Sequence, residues 1–267
     1  MIPAFSIITF ILGAAVGSFL NVVVYRLPAG QSPVYPPSRC PKCQHRLRPH
    51  ENVPVLGWLW LKGRCAHCRQ SISMRYPIVE AATGLLFLLV FWQFGFSGLT
   101  IAGWLLLSWL LALALIDLDT LTLPNSLTQS GLVLGLVFQF LLGGVSIGWF
   151  GGAITQLVSG IFGAVLGLWL VDTIILLGSL ALGQTAMGGG DAKLAAMIGA
   201  WLGWKLLLLT GFLACLLGAI VGGVAMALGR LSRHQPLPFG PFLAAGAAIA
   251  ALWGQAMLST YWQTFSP

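Results

Sequence analysis

Two sets of residues in this 267-residue chain have the types and spacing to do chemistry. The first is a pair of C-x2-C turns, Cys40-Pro-Lys-Cys43 and Cys65-Ala-His-Cys68, with 21 residues between them. Each turn aims two thiolates at one point, and two turns close a tetrahedral Zn²⁺ site. The usual spacer is about 15–20 residues, so this one is slightly long. Four sulfur ligands leave no open position for water, which makes the expected zinc structural. Two disulfides are the alternative, and a reducing cytoplasmic location argues against them. With four thiolates filling the site, His45 and His67 read as surface residues. The fifth cysteine, Cys215, lies in an apolar stretch and reads as a small buried hydrophobe.

The second set is drawn from only six acids: Glu51, Glu80, Asp117, Asp119, Asp172 and Asp191. Asp117 closes one apolar run, and Asp191 opens another directly after Gly188-Gly189-Gly190. An ionisable side chain in or beside a membrane span is costly and is a functional hypothesis by default. Two carboxylates in one site do not both ionise readily. The anion can draw a proton from water while its neutral partner hydrogen-bonds a carbonyl under attack, which is the aspartic-protease arrangement. The three glycines remove side-chain bulk where an extended peptide would approach. The bland alternative is that such residues cap helices, and Asp191 reads equally as an N-cap. Asp119 cannot face the same partner as Asp117 along a regular helix; with Asn125 it reads as a turn residue around Pro124. Asp172, in Trp169-Leu170-Val171-Asp172-Thr173-Ile174, is either neutral and hydrogen-bonded within a bundle or lining a polar cavity.

The elements that must position these residues are membrane helices. The chain is 58% hydrophobic and 7% charged, against about 25% charged in soluble domains. A span needs about 20 apolar residues. Eight candidates follow: Pro3–Tyr25, Pro77–Phe94, Leu99–Ile116, Ser126–Leu142, Ala153–Leu182, Ala192–Trp204, Leu206–Leu228 and Pro238–Leu258. The sixth is short, and is either tilted or runs into the seventh with a break near Gly203. Nine of the thirteen Lys and Arg residues lie between Arg26 and Arg75. The positive-inside rule puts that segment in the cytoplasm, and no nucleic-acid partner is expected. No positive charge precedes the first apolar run, so that run is expected to stay in place, not to be cleaved as a signal peptide. With the N-terminus outside, Asp117, Asp191 and the basic stretch 229–236 all fall at the cytoplasmic boundary. Lys205 falls at the other, where one Lys can snorkel. The expected fold is all-α and polytopic. About eight transmembrane helices carry a small, zinc-ribbon-like cytoplasmic loop of four cysteines after the first.

With these features in view, the chain resembles the bacterial type IV prepilin peptidases, intramembrane aspartic proteases of the GxGD type. The resemblance covers nearly the whole chain. It rests on the run Gly17–Pro28, on Ser38-Arg39-Cys40-Pro41, Glu51-Asn52-Val53-Pro54-Val55 and Gly63-Arg64-Cys65, and on Arg75-Tyr76-Pro77-Ile78-Val79-Glu80. It continues through Ile116-Asp117 with Leu123-Pro124, Gly188-Gly189-Gly190-Asp191-Ala192-Lys193-Leu194, and the run Pro238–Ala244. The chain differs from the family pattern at Gly189, where relatives often carry an aromatic residue, and at Asn125, where many carry Asp.

The resemblance implies an enzyme of the bacterial inner membrane with its active site facing the cytoplasm. It implies cleavage of a short basic leader from type IV prepilins or pseudopilins after a glycine, with Asp117 and Asp191 as the catalytic pair. Bifunctional members then methylate the new N-terminal residue with S-adenosylmethionine. That activity goes with the cysteine loop, which peptidase-only relatives lack. The implied division is a first helix at 1–27, a cytoplasmic cysteine-rich loop associated with methylation at 28–76, and a transmembrane peptidase domain at 77–267. Zinc on Cys40, Cys43, Cys65 and Cys68 and membrane lipid complete the expected partners. Glu51, Arg75, Tyr76 and Glu80 are polar groups near the loop, none assigned to the methyl donor. Three rivals stand beside this reading: a transporter using its intramembrane acids, a secretion-system scaffold without chemistry, and a peptidase without methylation.

Overall fold

The computed structural model of the chain describes residues 2–147, 151–183, 188–230 and 237–265. Residues 231–236, most of the basic stretch 229–236, lie outside them. Among the described residues the structure is helical, with two isolated bridges in place of strands. The helices are α1 (Ile2–Arg26), α2 (Leu56–Trp60), α3 (Arg75–Phe94), α4 (Gly98–Thr120), α5 (Asn125–Ile147), α6 (Gly151–Leu182), α7 (Gly189–Ala227) and α8 (Gly240–Phe265). All but α2 are long and apolar enough to cross a membrane, so this is a membrane protein. The chain forms two compact units, Met1–Ser108 and Trp109–Pro267, with the boundary inside α4.

In the first unit α1 and α3 form an antiparallel pair. Trp92 Nε1 donates to Ser6 Oγ (3.2 Å) at one end, and Asn21 Nδ2 donates to the Tyr76 carbonyl (3.2 Å) at the other. Between them Gly13 packs on Gly84 and Phe87, and Gly17 packs on Glu80 and Thr83. Arg26 ends α1 where a cation meets the negative end of the helix dipole. Pro77 in the first turn of α3 forfeits only an amide that has no intrahelical partner.

The second unit alternates direction at each helix. Trp201 Nε1 donates to the Gly131 carbonyl (2.7 Å), and Gln139 Nε2 donates to the Trp201 carbonyl (3.0 Å). Gly131 packs on Met197 and Gly135 on Trp201, so the first part of α7 runs parallel to α5. Gly160 lies against Ala200 and Gly167 against Ala195, so α6 is antiparallel to that part. In the second part of α7, Leu206 lies near Gly254 and Gly218 near Phe242, so this part is antiparallel to α8.

The reversal falls at Gly203, whose φ of 74° and ψ of 171° are not helical. Glycine alone takes that backbone without a Cβ penalty. Residues 189–202 and 204–227 are thus two runs joined by one residue. Among the described residues seven long helices correspond to the eight apolar runs predicted from sequence, because the expected sixth and seventh are the two halves of α7.

Large apolar side chains such as Ile7, Ile8, Trp169, Leu180 and Phe212 are more than half exposed, as lipid-facing helices require. Cys215 is exposed in the same way. The expectation of a buried thiol is corrected: an apolar stretch facing lipid reads the same as one facing the core.

Candidate active site and cysteine centre

Asp117 sits in the last turn of α4, and Asp191 in the first turn of α7. They are 6% and 7% exposed, which in water would be unusual for either. The two carboxyls lie within electrostatic range of one another. Asp117 Oδ2 accepts the backbone N–H of Gly240, the first residue of α8, at 3.1 Å. Asp117 thus satisfies one orphan amide of α8, and its charge lies at the positive end of that helix. Asp191 Oδ1 is buried and has no hydrogen-bond partner. The N-cap of α7 is Gly188, so the capping role weighed for Asp191 does not hold. Gly190, which precedes Asp191, packs on Leu123, and Leu123-Pro124 leads into α5. Three helix ends therefore meet at two carboxylates, one anchored through an amide and one with a free acceptor.

Asp119, two residues from Asp117, is exposed, as helical geometry requires. Lys193, two residues past Asp191, is exposed as well, and its Nζ donates to Asn125 Oδ1 at 2.7 Å. Asp172 is exposed on α6. The α6–α7 register, with Gly163 against Gly199 and Gly167 against Ala195, extends to place Asp172 level with residues 189–191. Its exposure corrects the bundle-interior reading. An acid at that depth also removes the midplane charge on which the transporter reading leaned.

The cysteine loop is built on two tight turns. Each is closed by one bridge, Arg39 with Arg46 and Arg64 with Ser71. Cys40 and Cys65 are buried, and all four sulfurs lie within 4.8 Å of one another. Sγ of Cys40 is 3.8 Å from that of Cys68, and Sγ of Cys43 is 3.9 Å from that of Cys65. Tetrahedral zinc with about 2.3 Å bonds needs sulfurs roughly 3.8 Å apart, so the set fits.

Four thiols this close cannot all ionise without a cation among them. The Cys43 amide, hydrogen-bonded to Cys40, lowers that thiol to about 7. At Cys43 the His45 amide acts in the same sense, but burial and the three neighbouring thiols push it up to about 11. His45 and His67 stack at 5.2 Å across the two turns. Glu51, one of the polar candidates, is engaged within the loop: Oε2 accepts the Arg48 N–H (2.9 Å) and lies 3.6 Å from His45 Nε2.

Comparison with known proteins places these features in a family. Residues 11–94 match the bacterial peptidase A24 N-terminal domain, and residues 104–223 match the type IV leader peptidase family. The chain is 42% identical to a Pseudomonas aeruginosa protein named prepilin leader peptidase/N-methyltransferase, over 97% of this chain and 94% of that one. The chain belongs to the type IV leader peptidase family. A Stutzerimonas stutzeri relative of the same name is 40% identical over the same shares, and one from Burkholderia pseudomallei is 41% identical over 91% of this chain and 84% of its own. No solved structure matches the chain significantly. As a member of an aspartic-peptidase family the chain is an enzyme.

Within the type IV leader peptidase framework, two contributors escaped sequence reasoning. Gly240 donates to Asp117, and a Cβ there would lie 2.6 Å from Asp117 Oδ2 and displace that carboxyl. The run Pro238–Ala244 marked the segment without its role. The stacked histidines carried no signal beyond their nearness to the cysteines.

Proposed function

We propose that this chain cleaves the leader from type IV prepilins or pseudopilins after a glycine, at the cytoplasmic face of the bacterial inner membrane. Asp117 and Asp191 act as the dyad. The chain then methylates the new N-terminal residue with S-adenosylmethionine. The observation that carries the reading is the meeting of two buried carboxylates 74 residues apart in sequence, with Asp191 Oδ1 left free to accept.

The pair shares one proton. The anionic carboxylate takes a proton from water, and the resulting oxygen nucleophile attacks the scissile carbonyl. The protonated partner hydrogen-bonds the carbonyl oxygen as charge develops there. Collapse of the tetrahedral intermediate breaks the C–N bond. The leaving amine takes a proton from the dyad, which again holds one. The Gly240 amide fixes the orientation of Asp117 throughout.

The apolar mature segment of the substrate docks laterally among the spans. A polar residue placed in that segment is expected to abolish processing.

In this reading residues 28–76 serve methylation and residues 77–267 serve cleavage. Zinc held by Cys40, Cys43, Cys65 and Cys68 would cross-link the two turns of the loop. S-adenosylmethionine would supply the methyl group when bound. The relatives' name, which couples peptidase with N-methyltransferase, supports both activities.

The test is mass spectrometry of a co-expressed prepilin with wild-type enzyme, Asp117→Asn and Asp191→Asn. Both variants should leave the leader attached at unchanged protein levels, with losses of at least about a thousandfold. The wild-type product should be heavier by one methyl group. Full cleavage by either variant would remove the dyad, and an unmethylated wild-type product would leave a peptidase alone.

A further inference from the structure

Glu80 is a buried carboxylate, 8% exposed, for which leader cleavage has no use. It lies on the face of α3 that packs against α1, where the Ser18 hydroxyl hydrogen-bonds it. Its Oε2 accepts the backbone N–H of Val55, 25 residues earlier in the cysteine loop, at 2.7 Å.

Val55 has φ 62° and ψ −54°, and the Leu56 N–H donates to the Pro54 carbonyl at 2.6 Å. This is a classic γ-turn, rare and strained, and its central residue is β-branched. The Val55 N–H points away from the turn's own hydrogen bond and is met by Glu80. A strained backbone persists only where its surroundings over-determine it.

The strap continues into the second cysteine turn. Val55 leads directly into α2, where Gly57 packs on the Glu51 carbonyl. Trp58 covers Gly63, and its Nε1 donates to the Ile72 carbonyl at 3.1 Å. Ile72 N–H in turn donates to the Gly63 carbonyl at 2.7 Å, closing the turn that contains Cys65 and Cys68. A chain of direct contacts thus runs from α3 through Val55 and Trp58 to the second pair of sulfurs.

We infer that Glu80 is a positioning residue for methyl transfer: by holding the Val55 turn it fixes the cysteine loop on the α1–α3 hairpin, and leader cleavage does not depend on it. The inference rests on the proposal above that the loop carries methylation. A carboxyl suits the task because its oxygen accepts an amide at this position, as a glutamine carbonyl also can. Removing it leaves a part-buried N–H unpaired.

The test uses full-length enzyme in detergent with a purified prepilin and S-adenosylmethionine, reading cleavage and methylation separately by mass spectrometry. Glu80→Ala should slow methyl transfer by about tenfold or more and leave cleavage within about twofold. Glu80→Gln keeps a carbonyl acceptor and should recover methyl transfer to within about threefold of wild type, with KM for S-adenosylmethionine unchanged.

Wild-type methylation by Glu80→Ala overturns the inference. So does a Glu80→Gln variant as poor as Glu80→Ala, because the charge and not the strap would then be what matters. Parallel loss of both activities in Glu80→Gln also overturns it, in favour of a general folding role. A wild-type enzyme that cleaves without methylating strikes the underlying reading instead.

Discussion

Residues 40–72 contain little regular structure: two turns, one helix of five residues and a four-residue 3-10 turn. Their polar groups are held by four sulfurs, a histidine stack and the Val55–Glu80 hydrogen bond. Around Asp117 and Asp191 the opposite holds. Each group belongs to the end of a long helix, and the residues just beyond Asp191, such as Leu194, Met197 and Ile198, are fully buried. A short loop that leaves Leu56, Leu59 and Trp60 exposed buries too little surface to order itself and needs cross-links. Helices in lipid have their backbone bonds satisfied internally, so close packing alone can bring their ends to one point. The loop should therefore fail locally and all at once, and the aspartate site should fail by degrees.

The largest expected effect is in the loop. Cys65→Ser should abolish methylation and lower bound zinc from about one per chain to near zero by elemental analysis, while cleavage persists. Cleavage lost together with zinc would break the contrast between the regions. The same metal should be released on acidification. Cys43, pushed up to about 11 without metal, must shed its proton to bind, so binding releases protons and weakens as pH falls.

Next comes Gly240→Ala, which puts a Cβ against Asp117 Oδ2. Cleavage should fall by about ten- to a hundredfold with the protein intact, the graded failure expected of a packed site. Unchanged cleavage would mean that the amide anchor is dispensable.

Gly203→Ala should cost about 1–2 kcal/mol from the positive φ alone, read as a lower thermal midpoint in detergent with the dyad still active. Smallest is Cys215→Ala, exposed on its helix, which should change stability by less than about 0.5 kcal/mol.

Much of this was legible in the sequence, and the gaps have physical causes. Apolar runs and their glycine breaks gave the helices, including the break at Gly203, because lipid forces length and composition together. Asp117 and Asp191 stood out because acids are few and costly beside a span. The cysteine spacing gave the four-sulfur cluster. The Gly240–Asp117 bond was hidden because a backbone amide has no residue signature and its partner lies 123 positions away. The burial of Cys215 was misjudged because hydropathy does not separate lipid-facing from core-facing positions. Asp172 needed the register of α6 on α7, which sequence does not supply.

The reversal at Gly203 also bears on the bilayer. Ser159 of α6 and Gln139 of α5 lie beside it, and α5 and α6 each extend about eight residues further, roughly 12 Å. The turn is sunk below its neighbours' ends, with exposed Lys205 stacked over Trp204 at 5.6 Å. In a bilayer, a cation at that depth would snorkel toward the headgroups or draw water inward. Sensitivity to the acyl-chain length of the surrounding lipid would follow from that single turn.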